Sequence, residues 1–230
     1  HSFPTRRSSD LDLSRRGRDR AGRGPAAGDA GGALGAAQAA YHIFFKKERV
    51  VNPASLDAMK GSFLGPEFSD LDIEATARKY QASFKKFENF ETLAQQTANL
   101  LAQGNVIGWM QGRMEFGPRA LGGRSILGDA RNAEMQKKLN LKIKYREGFR
   151  PFAPSVLAEN VSDYFEYEGI SPYMLLVHGV KKERRTAFPK GYEALPMMDK
   201  LYFLRSDLPS ITHIDYSARI QTVHKETNPQ

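Results

Sequence analysis

Residues 106–131 read V-I-G-W-M-Q-G-R-M-E-F-G-P-R-A-L-G-G-R-S-I-L-G-D-A-R, and the pattern divides in two. Val106–Met110 is a short apolar run with β-branched content, which predicts a buried strand. It opens into a loop with four glycines, one proline and three arginines (Arg113, Arg119, Arg124), with Ser125 beside the last. Glycine lets backbone amides approach a ligand, and a guanidinium presents a planar fork of donors to phosphate or carboxylate oxygens. Guanidiniums spaced by rigid residues repel one another unless an anion sits among them. The loop therefore reads as a small-anion site.

Outward from this loop the pattern alternates. Leu93, Thr97, Leu100 and Leu101 form a helical stripe over 91–103, and Gly104 is a C-terminal stop. After the loop, residues 132–145 predict a helix with Met135, Leu139 and Ile143 on one face. A strand–loop–helix order with a Gly-rich loop predicts an α/β domain. Lys144, Arg146 and Arg150 gather at that helix's end, before Pro151 and Pro154. They either complement the helix dipole or, with Arg119, surround a phosphate-bearing substrate. Residues 156–180 continue the sheet, with Tyr173–Val180 its clearest strand and His178 a core or edge histidine. Lys181–Arg185 reads as a solvated turn.

Residues 211–223 read as a turn feeding a strand. Arg219, Gln221 and Val223 share one face, and Ala218, Ile220 and Thr222 the other. His213, Asp215, Ser217 and Arg219 make a polar alternation, read either as a binding face or as an edge strand in water.

Upstream, residues 42–90 read as a connector whose dispersed aromatics should pack onto the flanking domains. Asp70, Asp72 and Glu74 with Lys79, Lys85 and Lys86 read as a solvated face. Asp29 reads as N-cap of an Ala-rich helix 30–41. Residues 1–24 hold seven Arg and three Asp, so half of the net charge of +8 sits in a tenth of the chain. They read as an artefact or as a disordered Arg/Gly tract and are set aside, which weakens any nucleic-acid reading based on pI. There is no cysteine, which excludes disulfides and Cys-ligated metals and fits a cytoplasmic protein. No apolar run of about 18 residues predicts a membrane span.

The stretch Gly112–Leu127 resembles the signature of the nodulation and antibiotic-type O-carbamoyltransferases, in their C-terminal, YrdC-like domain. Ile143–Val156 and His213–Gln221 resemble later blocks of that family. The resemblance implies an α/β (α+β) fold, a YrdC-like mixed twisted sheet with helices. A remnant of a Kae1-like, actin/Hsp70-type ATPase domain would precede it. The implied order is an N-terminal-domain tail over 25–48, a connector over 49–90 and the YrdC-like domain over 91–230, with both ends read as cut.

The implied reaction joins carbamoyl phosphate and ATP into carbamoyl-adenylate and passes the carbamoyl group to a hydroxyl of a sugar or other small acceptor. Arg119, Lys144 and Arg150 would hold the carbamoyl phosphate. Arg113, Arg124, Ser125, Arg146, Ser217 and Arg219 would serve substrate phosphates or their positioning, and His213 and Asp215 the nucleotide or its Mg2+. Glu115 would orient neighbouring arginines. Asp29 would be one ligand of an iron or other divalent metal whose histidine partners lie upstream.

Two positions depart from the family pattern: Tyr216 stands where glycine is usual, and Gly123 where asparagine is usual. A homodimer is compatible with this reading. The rivals are an RNA- or nucleotide-binding module, told apart by a steep salt dependence, and an inactive fragment of the enzyme.

Overall fold

The computed structural model describes residues 29–50, 52 and 58–229, so the expectations for residues 1–28 and for the Asp29 side chain lie outside the described residues. The described chain falls into two compact units, one of residues 29–129 with 225–229, the other of residues 130–224.

In the first unit, helix α1 (Asp29–Ala39) runs into a wide π-type turn, Ala40–Phe44. The expected connector contains a helix, α2 (Asp70–Lys79). Ser69 and Asp72 form a reciprocal capping box at its start. Glu74 bonds Arg78 at 3.2 Å and Lys86 at 3.1 Å on the expected solvated face. Phe63, Phe87 and Phe90 are half-buried, but other aromatics of this stretch correct the sequence reading. Phe44, Phe45, Tyr80 and Phe84 are 78, 61, 71 and 56 % exposed. Phe44 and Phe45 end the wide turn and Tyr80 and Phe84 lie past the end of α2, so their helical spacing is not read out by a helix and they share no buried face.

Helix α3 (Phe90–Ala102) is capped by Asn89, whose side chain accepts the Thr92 N–H. Its half-buried residues include the predicted stripe, and Gly104 takes the left-handed conformation (φ 80°) that ends it. Strand β1 (Ile107–Met110) pairs antiparallel with β2 (Arg124–Leu127), Trp109 opposite Ser125. The arginine loop thus returns into a strand rather than a helix. Moreover, β1 alternates half-buried and exposed, because a two-stranded ribbon leaves one face open. The segment before α2 straps this loop. Gly65 N–H donates to Met114 O and Met114 N–H to Pro66 O, both at 2.9 Å, while Ser62 Oγ donates to Phe116 O at 2.6 Å.

In the second unit, α4 (Met135–Lys138) continues through a wide turn, Leu139–Ile143. Met135 and Leu139 are buried but Ile143 is 41 % exposed, because the wider turn carries it off the stripe. Strands β3 (Ser155–Leu157), β4 (Leu176–Gly179) and β5 (Ser217–Val223) form a sheet in the order β3–β5–β4, with α5 (Val161–Tyr164) and α6 (Met197–Tyr202) in the connections. β3 is parallel and β4 antiparallel to β5.

The edge-strand alternative is therefore overturned: β5 is central. Ala218 and Ile220 enter a core with Val161, Phe165, Val180, Leu208 and Ile211. Burial of each large apolar side chain there is worth roughly 1.5–3 kcal/mol. His178, half-buried on the outer strand β4, pairs with Ala218 on this face and stacks on Tyr167 at 4.0 Å. On the opposite face Ser217 and Gln221 are buried, and Gln221 Oε1 accepts a hydrogen bond from Ser155 Oγ at 2.8 Å. Helices and mixed sheet together make an α/β fold.

Candidate functional site

The arginine loop is organised by a carboxylate. Glu115 is 5 % exposed, and its Oε1 accepts from the backbone N–H groups of Leu121 (2.7 Å), Gly123 (2.7 Å) and Arg124 (3.1 Å). Its Oε2 accepts from Arg124 Nε at 2.9 Å, and Arg124 Nη2 also reaches Glu115 O at 3.1 Å. Burial alone would raise this carboxyl. The Arg124 guanidinium, followed by the backbone donors, outweighs burial and holds it below the usual glutamate range.

Arg124 is thus committed to the loop itself. Ser125 Oγ accepts the Gly122 N–H at 3.1 Å, and Arg113 Nη1 donates to Gly65 O at 2.6 Å. Arg119 is half-buried on the same loop. A Cβ on Gly123 would stand 2.6 Å from Arg113 O, so the departure at this position has a steric cause.

In the second unit the basic segment is shaped by Asn140, which sequence reasoning missed. Asn140 is fully buried; its Nδ2 donates to Gly148 O (3.2 Å) and Arg150 O (2.8 Å), and its Oδ1 accepts from Arg146 Nε (2.7 Å). The available signal was an asparagine interrupting the apolar run Leu139–Leu141, a poor helix residue unless its amide is used. The Phe152 ring lies against the Arg146 guanidinium at 5.1 Å. Desolvation, then the Arg150 guanidinium, lowers Arg146 from its ordinary value, while Glu147 opposes them. Arg150 Nε also meets Glu147 Oε2 at 2.9 Å, and Lys144 is exposed on the same loop.

The third group is the turn entering β5. Ser217 Oγ donates to Asp215 Oδ1 at 2.6 Å and lies 2.9 Å from His213 Nδ1; His213 N–H donates to Ser217 O at 2.7 Å. Desolvation would raise Asp215, but the Ser217 hydroxyl and N–H, then His213, outweigh it and keep the carboxyl low. Tyr216 closes the turn at φ 62°, a conformation costing a bulky residue about 1–2 kcal/mol. The departure at Tyr216 therefore carries strain. Arg219 is half-buried on β5 opposite Val177.

The charge run 181–185 is corrected as well. Arg184 donates to Asp163 O at 2.8 Å and pairs with Asp207, and Arg185 pairs with Glu166 at 3.0 Å. Both are half-buried, because acids and carbonyls brought in from distant segments meet them.

The expected site residues thus form one group in the first unit (Arg113, Arg119, Arg124, Ser125) and two in the second (Lys144, Arg146 and Arg150; His213, Asp215, Ser217 and Arg219). Among the described residues no three His, Cys, Asp or Glu side chains gather to hold a metal ion.

Residues 98–230 match the family model described as carbamoyltransferase C-terminus. An uncharacterized protein of Synechocystis is 57 % identical over 208 residues, covering 90 % of this chain and 33 % of that protein. Nodulation protein NolO of Bradyrhizobium diazoefficiens is 36 % identical over 209 residues, 89 % of this chain and 33 % of that protein. The 3'-hydroxymethylcephem-O-carbamoyltransferase of Streptomyces clavuligerus is 35 % identical over 133 residues, 58 % of this chain and 21 % of the enzyme. The chain spans about a third of the length of the first two relatives.

Proposed function

The chain belongs to the carbamoyltransferase family, and on that premise we propose that it forms part of an O-carbamoyltransferase acting through carbamoyl-adenylate. Release of both phosphate and pyrophosphate requires one water. Water cleaves carbamoyl phosphate to carbamate and phosphate; a carbamate oxygen then displaces pyrophosphate from the α-phosphorus of ATP. A hydroxyl of a sugar or other small molecule next takes the carbamoyl carbon, loses its proton and releases AMP. One relative's name, which specifies a hydroxymethyl acceptor, supports transfer to oxygen.

Chemistry between two polyanions depends on neutralising their charge and aligning their reacting atoms, with no nucleophilic side chain required. Lys144 and Arg150 are assigned to the carbamoyl phosphate dianion, with Arg146 beside them. His213, Asp215, Ser217 and Arg219 are assigned to the nucleotide. Arg113, Arg124 and Ser125 keep their assignment to substrate phosphates, with Arg124 acting through its bond to Glu115, and Arg119, expected at the carbamoyl phosphate, is assigned with them because it belongs to the first unit. Mg2+ would arrive with the nucleotide and neutralise its phosphates.

The observation that carries the reading is the loop built on Asn140, which bonds the Arg146 side chain and the Arg150 carbonyl and so keeps both cations in one short loop. Two cations held in one short loop suit a dianion. Calorimetric titration of the chain with carbamoyl phosphate and with ATP tests it. Arg150→Ala should weaken carbamoyl phosphate binding about 10- to 150-fold, as expected for a lost charge-assisted bond of about 1.5–3 kcal/mol, without altering thermal unfolding. Unchanged affinity in that variant refutes the assignment. Tighter binding of duplex RNA, falling steeply with salt, would favour the nucleic-acid rival.

A further inference from the structure

The turn His213–Ser217 contains a proton-ordering arrangement. The Ser217 hydroxyl has one proton, and it is given to Asp215 Oδ1 at 2.6 Å. The 2.9 Å contact between Ser217 Oγ and His213 Nδ1 then has only one sense: Nδ1–H donates. This fixes His213 with its proton on Nδ1, the less common neutral form in water, as long as the turn holds its shape.

What holds that shape is not local preference, because Tyr216 occupies the left-handed region that a bulky residue avoids. Its N–H donates to His213 O at 3.1 Å and its C=O accepts from Val180 N–H at 2.8 Å. Its side chain adds a second attachment. The hydroxyl donates to Thr186 O at 2.8 Å, the ring lies 5.0 Å from Phe188, and the Arg185 guanidinium stands 5.4 Å from the ring centre. Arg185 is itself fixed by Glu166 at 3.0 Å and by Val180 O at 2.7 Å. A strained backbone at a polar turn, kept in place by a side chain reaching another segment, is how such sites are held ready.

We propose that Tyr216 is a positioning residue whose side chain, tethered to the 185–188 segment, holds the His213–Ser217 turn and so sets which ring nitrogen His213 uses as donor. The functional part of this rests on reading the turn as part of the nucleotide site. Tyr216 touches no reacting atom; it acts through His213 and Ser217.

The test compares the unaltered chain with Tyr216→Phe, which removes only the tether to Thr186, and Tyr216→Gly, which removes the whole side chain and accepts a positive φ freely. Imidazole 15N spectra, with His213 identified by its loss in His213→Gln, report the tautomer. Calorimetry with ATP reports affinity and thermal unfolding reports the fold. The expected result is an Nδ1–H His213 in the unaltered chain and mixed tautomers in both variants. ATP should bind about 2- to 10-fold more weakly, the worth of one hydrogen bond, with the unfolding temperature of Tyr216→Phe unchanged.

An Nε2–H His213 in the unaltered chain, or the same tautomer and affinity in all three proteins, overturns the proposal. If none of the proteins binds ATP, the nucleotide reading fails and the tautomer comparison alone decides the role of Tyr216.

Discussion

Replacing Glu115 should unlatch the arginine loop. In Glu115→Ala the buried N–H groups of Leu121 and Gly123 lose their acceptor, and Arg124 Nε loses its counter-charge. Each orphaned buried donor costs about 1–3 kcal/mol, and breaking a buried ion pair costs roughly 3–5 kcal/mol. Because the Arg124 side chain is 38 % exposed, water compensates part of the second loss. A net destabilisation of about 3–5 kcal/mol follows, a large part of the 5–15 kcal/mol that holds a typical domain together.

Trp109, the only tryptophan of the chain, faces Ser125 across the hairpin and reports on this unit. Urea titration by its fluorescence should show a lowered midpoint, and amide exchange over residues 115–127 should accelerate. Glu115→Gln keeps an acceptor for the backbone donors but sets an amide N–H₂ or an uncharged oxygen against Arg124, so it should fall between the two. Because the folded-state carboxyl is depressed, its stabilisation is complete above the unfolded glutamate value of about 4.3 and is lost as pH falls through the folded value. Wild-type exchange and an unchanged midpoint in Glu115→Ala would refute the reasoning.

Asn140→Leu fills the same space without the amide, leaving Gly148 O, Arg150 O and Arg146 Nε without their partner. It should cost about 2–4 kcal/mol in thermal or urea unfolding, and carbamoyl phosphate affinity should fall with it. Gly123→Ala places a Cβ 2.6 Å from Arg113 O, a backbone atom that cannot swing aside, and should cost about 1–3 kcal/mol by the Trp109 signal.

Local pattern was legible and long-range pairing was not. The two faces of β5 could be read from Ala218, Ile220 and Thr222, because alternation is written into neighbouring residues. That β5 is central could not, since it depends on Leu176–Gly179 and Ser155–Leu157 arriving on either side. Likewise, Glu115 was read correctly as an orienting partner of arginine. Its larger role, accepting three backbone N–H groups, leaves no mark on residue types. The Arg113 bond to Gly65 O and the Arg184 and Arg185 pairs need acceptors from elsewhere in the chain, so a run of charges looked merely solvated.

The central place of β5 also bears on how the protein is made. Among the described residues β3 and β4 pair only with β5, yet both leave the ribosome before it. Until Ser217–Val223 emerges, each nascent strand carries unpaired backbone edges, and the apolar side chains meant for Ala218 and Ile220 have nothing to close over. The growing polypeptide is then most open to sticking to its neighbours, and a chaperone that covers those edges should raise its soluble yield.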